Sequence, residues 1–212
     1  GVGTAVFLSE YASPRLRSTL KPIVEVIAGL PSVVVAFLVL QVLYPSFLHN
    51  FVGRYSLLAA GIGVGILTVP IIAAVTEDAL TAVPRSLREA SIGMGARRVT
   101  TTLRVVLPAS LSGITAALIV GASRALGETM LVMLVAGGSS GAGRVFAPTE
   151  GGLTMTAGMA SLAAGSDNVA TSAAGTVNPV DSLYLVGLVL FVATLVLNML
   201  GDRMVRKYRQ AY

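Results

Sequence analysis

Four long apolar runs, residues 22–43, 55–75, 109–136 and 182–200, constrain this chain more than any other feature. A helix needs about 20 mostly apolar residues to cross the hydrocarbon core of a bilayer, and each run reaches or approaches that length. None shows the period-2 alternation of a membrane barrel strand. In hydrocarbon the backbone N–H and C=O groups must be satisfied within the segment, so runs of this kind are read as helices. The predicted fold is all-α, a polytopic transmembrane helical bundle with at least four full spans. A fifth apolar piece, 1–8, is too short to span. It reads as the tail of a helix that begins before residue 1, so the chain is expected to be truncated at its N-terminus. Composition excludes the soluble alternative: charged residues make up 12% of the chain, about half the usual share of a soluble domain. The 23 glycines fit as well, because transmembrane helices use Gly for close packing.

The basic residues are distributed by side. Arg15, Arg17 and Lys21 lie before the first run, and Arg85, Arg88, Arg97, Arg98 and Arg104 lie in segment 77–108. Arg203, Arg206, Lys207 and Arg209 close the chain. In a four-span zigzag these three segments share one side. The opposite loops hold only Arg54 and Arg144, and Arg124 falls inside a run. The positive-inside rule makes the basic side cytoplasmic, C-terminus included, in a multi-pass protein of the cell membrane. Residues 1–212 are thus expected to form a single transmembrane domain, with 77–108 a cytoplasmic loop and 138–180 an external one. Within the external loop, 153–164 is apolar enough for a short helix. The net charge of +5 does not point to nucleic acid, which requires one continuous solvated basic face. The bilayer is the partner that composition implies.

Catalytic chemistry finds no support. His49 is the sole histidine and has no second ligand or base beside it in sequence, and there is no Cys; no catalytic residue, metal site or cofactor is expected. Gly61, Gly63 and Gly65 begin a dinucleotide-loop pattern, but Ile66 stands where the next glycine is required. They lie inside a membrane run, so the expected role is close helix packing through Gly61 and Gly65. Neither Lys21 nor Lys207 has the upstream glycines and following hydroxyl of a nucleotide-phosphate loop, so the chain is not expected to hydrolyse ATP.

Segment 77–108 is too patterned for a plain connector. Pro84 sets a helix start, Gly93 and Gly95 allow that helix to end in a turn, and Pro108 is placed to open the next membrane helix. The spacing predicts a short helix–turn–helix on the cytoplasmic face. It fits either a groove in another protein or a basic connector resting on lipid headgroups.

Glu89-Ala90-Ser91, then Gly95, then Val105, Leu107 and Pro108 resemble the signature of ABC-importer permeases, with Ser91 and Val105 as conservative departures. Phe7-Leu8-Ser9-Glu10-Tyr11, Ala28-Gly29-Leu30-Pro31-Ser32 and Arg124-Ala125-Leu126-Gly127-Glu128-Thr129-Met130 look like the phosphate-specific (Pst) permeases. The Gly-Glu-Thr-Met form followed by Val135-Ala136-Gly137 is closer to the PstC half of that pair than to the PstA half. The resemblance covers nearly the whole chain outside 139–179. It implies a MetI-like permease fold with at least one more helix before residue 1, and a coupling role for Glu89, Ala90, Ser91, Gly95, Leu107 and Pro108. The implied partners are a homologous second permease, two ATPase subunits and an external phosphate-binding protein, with inorganic phosphate as substrate. An importer for molybdate, tungstate or sulfate is the alternative, and a channel or secondary transporter the more distant one.

Independently of the resemblance, Arg124 and Glu128 require an explanation, because a charge at the centre of a membrane helix costs about 2.5–3.5 kcal/mol. Four residues apart on one helix, they would share a face. Arg124 would offer a planar fork of donors to a tetrahedral oxyanion in the translocation pathway, with Glu128 beside it; a buried structural pair is the other reading. Gly113, Ala117 and Gly121 give the same run a small-residue stripe for packing. Lys21 and Glu25 are expected to pair at the membrane surface, Pro31 and Pro70 to kink their spans, and Glu77 and Asp78 to pair with Arg85 and Arg88. Glu10 is singled out by the resemblance alone.

Overall fold

The computed structural model describes residues 1–137, 147–164 and 179–208, with side chains of the last helix described over 182–206. Of the predicted external loop 138–180, the segments 138–146 and 165–178 lie outside the described residues, as do Arg144 and Arg209. The helices are α1 (Val2–Val6), α2 (Pro14–Ala28), α3 (Ser32–Leu38), α4 (Leu57–Thr81), α5 (Arg85–Gly93) and α6 (Arg98–Thr101). They continue with α7 (Leu107–Ala109), α8 (Leu111–Leu126), α9 (Met130–Ala136), α10 (Met155–Ala163) and α11 (Pro179–Tyr208). Wider π-helical segments, Phe7–Tyr11, Val39–Leu48 and Thr102–Val106, extend α1, α3 and α6. Among the described residues there is no strand, only an isolated bridge between Gly137 and Gly152. The fold is all-α, and α10 is the short helix expected over 153–164.

Two helices are long and apolar enough to cross a membrane unbroken, α4 and Ser182–Arg206 of α11. Two bent pairs bring the number to as many as four: Pro14–Ala28 with Ser32–Leu48, and Arg98–Ala109 with Leu111–Leu126, the latter bent by 69°. The runs 22–43 and 109–136 are therefore not the single helices their hydropathy implied. The first breaks after Ala28, where Gly29 and Pro31 intervene; Pro31 has no N–H to continue the ladder and biases Leu30 away from helical angles. The second stops at Leu126 and resumes at Met130. Hydropathy reports only that a stretch is apolar, so a three-residue interruption leaves it unchanged.

The chain forms two compact units, one of residues Gly1–Gly29, Thr68–Ser123 and 197 onward, the other of Leu30–Leu67 and Arg124–Val196. In the first, Ala5, Leu80, Val83 and Val106 form a buried cluster with Leu107 packed on it. The stripe expected on α8 is there. A Cβ on Gly113 would overlap the side chain of Ala79, one on Gly121 would stand 2.5 Å from Ile72 Cγ1, and Ala117 is fully buried. Near its end, α11 contributes Gly201, whose missing Cβ leaves room for Ile119, and Asn198, whose Oδ1 accepts a hydrogen bond from Ser123 Oγ at 2.8 Å. The basic residues assigned above to the cytoplasmic side, Arg209 aside, fall within this unit.

In the second unit, Val35, Val39, Ala59, Leu67, Leu131, Val132 and Val135 make the core. The glycine that packs there is Gly63, where a Cβ would lie 3.0 Å from Leu131 Cδ2 and 3.1 Å from Val39 Cγ2. Gly61 and Gly65 face open space instead, which corrects the expectation: i and i+4 shared a face, but the packed face was the one between them. The start of α4 is capped from a distance. The N–H groups of Ser56, Leu57 and Leu58 donate to the carbonyls of Val135, Glu150 and Pro148 at 3.2, 3.0 and 2.8 Å, meeting the need of a helix's first turn for outside acceptors.

The glycine contacts yield a direct prediction. Gly121→Leu forces a branched side chain into Ile72, an overpacking that costs about 1–3 kcal/mol. Yield of monodisperse chain in detergent and its unfolding temperature should both fall, whereas Gly61→Leu should leave both near wild type.

Candidate functional site

The sequence-predicted helix–turn–helix is present. Helix α5 starts directly after Pro84, and none of its residues is buried. It ends by a double closure: Gly95 N–H donates to Ile92 O at 2.9 Å and Ala96 N–H to Ser91 O at 3.1 Å, with Gly95 at φ +84°. This left-handed residue is the reason for glycine here, since a Cβ at such angles is strained even though the space around it is empty. The chain then enters α6, and Ser91 Oγ lies 2.9 Å from Thr101 Oγ1, holding the two helices together. Between them runs a groove of about 510 Å³ lined by Leu87, Ala90, Ser91, Met94, Gly95 and Arg104, among others. Met94 is 89% exposed at the tip, with Ile92 exposed nearby. Glu89 and Ala90 are exposed on the same short helix. Leu107 and Pro108 are not part of this surface. Leu107 packs on the apolar cluster, and Pro108 lies two residues before the helix break at Ser110.

Two ion-pair groups tie the elements of this unit together, one joining α2 to α4 and the other reaching α5, and both were missed in the sequence. Glu77, within α4 and 2% exposed, accepts from Arg17 Nε at 2.9 Å and Nη2 at 2.6 Å, with Lys21 Nζ 3.6 Å from its other oxygen. Glu10, 7% exposed, accepts from Arg88 Nη1 at 2.5 Å, while Arg88 Nη2 donates to Leu80 O at 2.6 Å. Lys21 thus pairs with Glu77 rather than Glu25, and neither Glu77 nor Asp78 pairs with Arg85 or Arg88 among the described residues. The partners are 60 and 78 positions apart, beyond any local spacing rule. The usable signal was burial: charged residues at the edge of an apolar run need a counter-charge. Arg98 adds a cation–π contact over Tyr11, 5.7 Å from the ring centroid.

Arg124 and Glu128 do not share a helix face. Arg124 lies in the last turn of α8, exposed and with no ion-pair or hydrogen-bond partner among the described residues. Glu128 lies in the break that follows. Its Oε1 accepts from Leu131 N–H at 3.3 Å, so the carboxylate caps the start of α9, and its carbonyl accepts from Thr156 Oγ1 of α10 at 2.9 Å. A carboxylate at a helix N-terminus meets the positive end of the dipole, and a cation in the last turn of α8 meets the negative end of that helix. Each charge is therefore matched to a helix terminus, not to the other. Gly127 after the apolar run, followed by a carboxylate and a hydroxyl, was a legible stop-and-start signal.

Residues 1–211 match the family described as binding-protein-dependent transport system inner membrane component. The chain belongs to that family. Among its relatives, the chain is 34% identical over 227 residues to the phosphate transport system permease protein PstC 1 of Mycobacterium tuberculosis, covering 97% of this chain and 65% of the relative. It is 33% identical to the probable phosphate transport system permease protein PstC of Methanocaldococcus jannaschii, covering 97% and 68%. The chain spans from 44% to 68% of the length of these and other curated relatives that it matches. A solved chain of the MetNI methionine ABC transporter, in an inward facing conformation, has the same fold, with TM-score 0.69 over 99% of this chain and 86% of that one at 23% identity. The chain is thus a membrane protein of the expected MetI-like architecture.

Proposed function

We propose that this chain is a permease subunit of an ATP-driven phosphate importer, forming the translocation pathway with a homologous second permease. The observation that carries the reading is the match over 97% of the chain to relatives named as phosphate transport permeases. The exposed turn at Glu89–Gly95 is the surface that docks an ATPase subunit, and hydrolysis belongs to that subunit, since this chain has no nucleotide-phosphate loop. An external phosphate-binding protein delivers the anion. Arg124 meets it in the membrane, because phosphate carries one to two negative charges and a low-dielectric passage opposes its entry without a counter-charge. The guanidinium at the end of α8, which has no ion-pair or hydrogen-bond partner among the described residues, supports that role. Its charge alone does not distinguish phosphate from molybdate, tungstate or sulfate. The test is reconstitution of the full complex in proteoliposomes with the four oxyanions compared. ATP-dependent uptake of another oxyanion in preference to phosphate would refute the substrate assignment.

In this reading the segments carrying Arg15–Lys21, loop 77–108 and the C-terminus are cytoplasmic, and 138–180 is external. Single Cys residues at Ser86 and Gln210 should react with impermeant reagents only from the cytoplasmic side, and one at Ser140 only from outside. The chain has no native Cys, so the background is clean. Labelling of Ser140 and Gln210 from the same side would overturn this topology.

A further inference from the structure

We infer that Arg88 is a positioning residue that fastens the docking helix α5 to the end of α4 and to Glu10, so that displacement of the docking turn is delivered to the membrane helices. The inference rests on the reading of Glu89–Gly95 as an ATPase-docking surface and names the device that makes docking consequential.

A nine-residue helix with no buried residue has little packing to hold it. Its apolar anchor is Leu87, half-buried against the cluster of Leu80, Val83 and Val106. A helix held so lightly would tilt under load without drawing its neighbours along, since regions of few buried contacts open locally at low cost. Arg88 removes that slack. Its side chain is 23% exposed, and its two terminal nitrogens engage acceptors on two different elements, Glu10 Oε1 on the π-helical continuation of α1 and Leu80 O near the end of α4. The planar guanidinium fixes both directions at once, which an ammonium cannot do.

Each acceptor has its own need for the cation. Leu80 is fully buried, and its carbonyl, at the negative end of the α4 dipole, accepts a long 3.3 Å bond from Val83 N–H and keeps a second lone pair for the cation. The Glu10 carboxylate is withdrawn from solvent, with Ser9 Oγ 3.3 Å away as its other hydrogen-bond donor, so it requires a counter-charge. Arg88 directly precedes Glu89 in the chain, which makes the clamp adjacent to the docking surface without being part of it. Beyond it, α4 is a single helix of 25 residues, about 37 Å at 1.5 Å per residue.

The experiment uses the full complex in proteoliposomes and measures three quantities: ATPase copurification, stimulated ATP hydrolysis, and phosphate uptake. Arg88→Gln should keep the ATPase bound and hydrolysing while the ATP consumed per phosphate imported rises roughly fivefold, within the range by which altered coupling contacts act. Arg88→Lys should raise that ratio less, because one ammonium serves either Glu10 or the Leu80 carbonyl. Glu10→Gln, a change outside the docking segment, should reproduce the Arg88→Gln defect, and the double variant should be no worse than the more severe single one. An unchanged ratio in Arg88→Gln and Glu10→Gln overturns the inference. So does loss of ATPase copurification in step with uptake, which would mean that the pair only shapes the docking surface. Failure of all three single variants to assemble would mark the pair as a folding element and likewise overturn it. Failure of the docking reading is seen separately, as full ATPase association by a chain whose turn at Gly95 has been disrupted.

Discussion

Replacing Arg124 by Gln should reduce phosphate uptake by roughly two orders of magnitude while leaving the complex assembled. A bidentate contact between guanidinium and oxyanion comprises two charge-assisted hydrogen bonds of about 1.5–3 kcal/mol each. Loss of about 3 kcal/mol corresponds to about a hundredfold. The structure sharpens what should accompany it. Because Arg124 has no protein partner among the described residues, its removal leaves no orphaned carboxylate, and complex yield should stay normal. Arg124→Lys should recover uptake only in part, since a point charge replaces the fork. The charge-swapped pair Arg124→Glu, Glu128→Arg should fail completely, because Glu128 caps α9 through Leu131 N–H and an arginine there opposes the helix dipole. Transport assays run beside complex yield separate these outcomes. Full uptake by an assembled Arg124→Gln complex would sink the pathway role.

Gly95→Trp should abolish ATPase association without affecting membrane insertion. Two effects combine. At φ +84° any Cβ is strained, by about 1–2 kcal/mol in the left-handed region, so the double closure through Ile92 O and Ser91 O loosens. The indole would also project from the exposed turn beside Met94 into the space a partner must occupy. Gly95→Ala isolates the first effect, since nothing lies within 4 Å of its added methyl; it should weaken copurification of the ATPase by roughly tenfold, against complete loss for Trp. A Trp variant that still binds the ATPase and transports would refute the docking assignment.

The parts legible in the sequence are those set by local chemistry. Pro84 and Gly95 announced α5 and its turn, because proline and glycine act on the backbone where they stand. The stripe of Gly113, Ala117 and Gly121 announced the face that α8 turns to Ala79 and Ile72. The break at Gly127–Thr129 used equally local signals, but they were outweighed by apolar residues on both sides, and the shared face assigned to Arg124 and Glu128 followed from that error. The glycines of α4 show a different limit: spacing named candidate faces, while the neighbours Val39 and Leu131 decided that Gly63 was the packed one. Glu10 with Arg88 and Arg17 with Glu77 were illegible for a third reason. Their partners are brought together only by the fold, and the nearest opposite charges in sequence, such as Glu25 beside Lys21, were the wrong ones.

The first unit is assembled from three separated stretches, and the last of them is the end of α11, where Gly201 receives Ile119 and Asn198 receives the Ser123 hydroxyl. A ribosome adds roughly 5–20 residues per second, so α8 is in place several seconds before residues 197–208 have been made. During that interval the surface of α8 around Ile119 and Ser123 is open. A chain arrested before Asn198 therefore has neither the acceptor of the Ser123 hydroxyl nor the glycine that receives Ile119, so this face of α8 is packed only once α11 has been made.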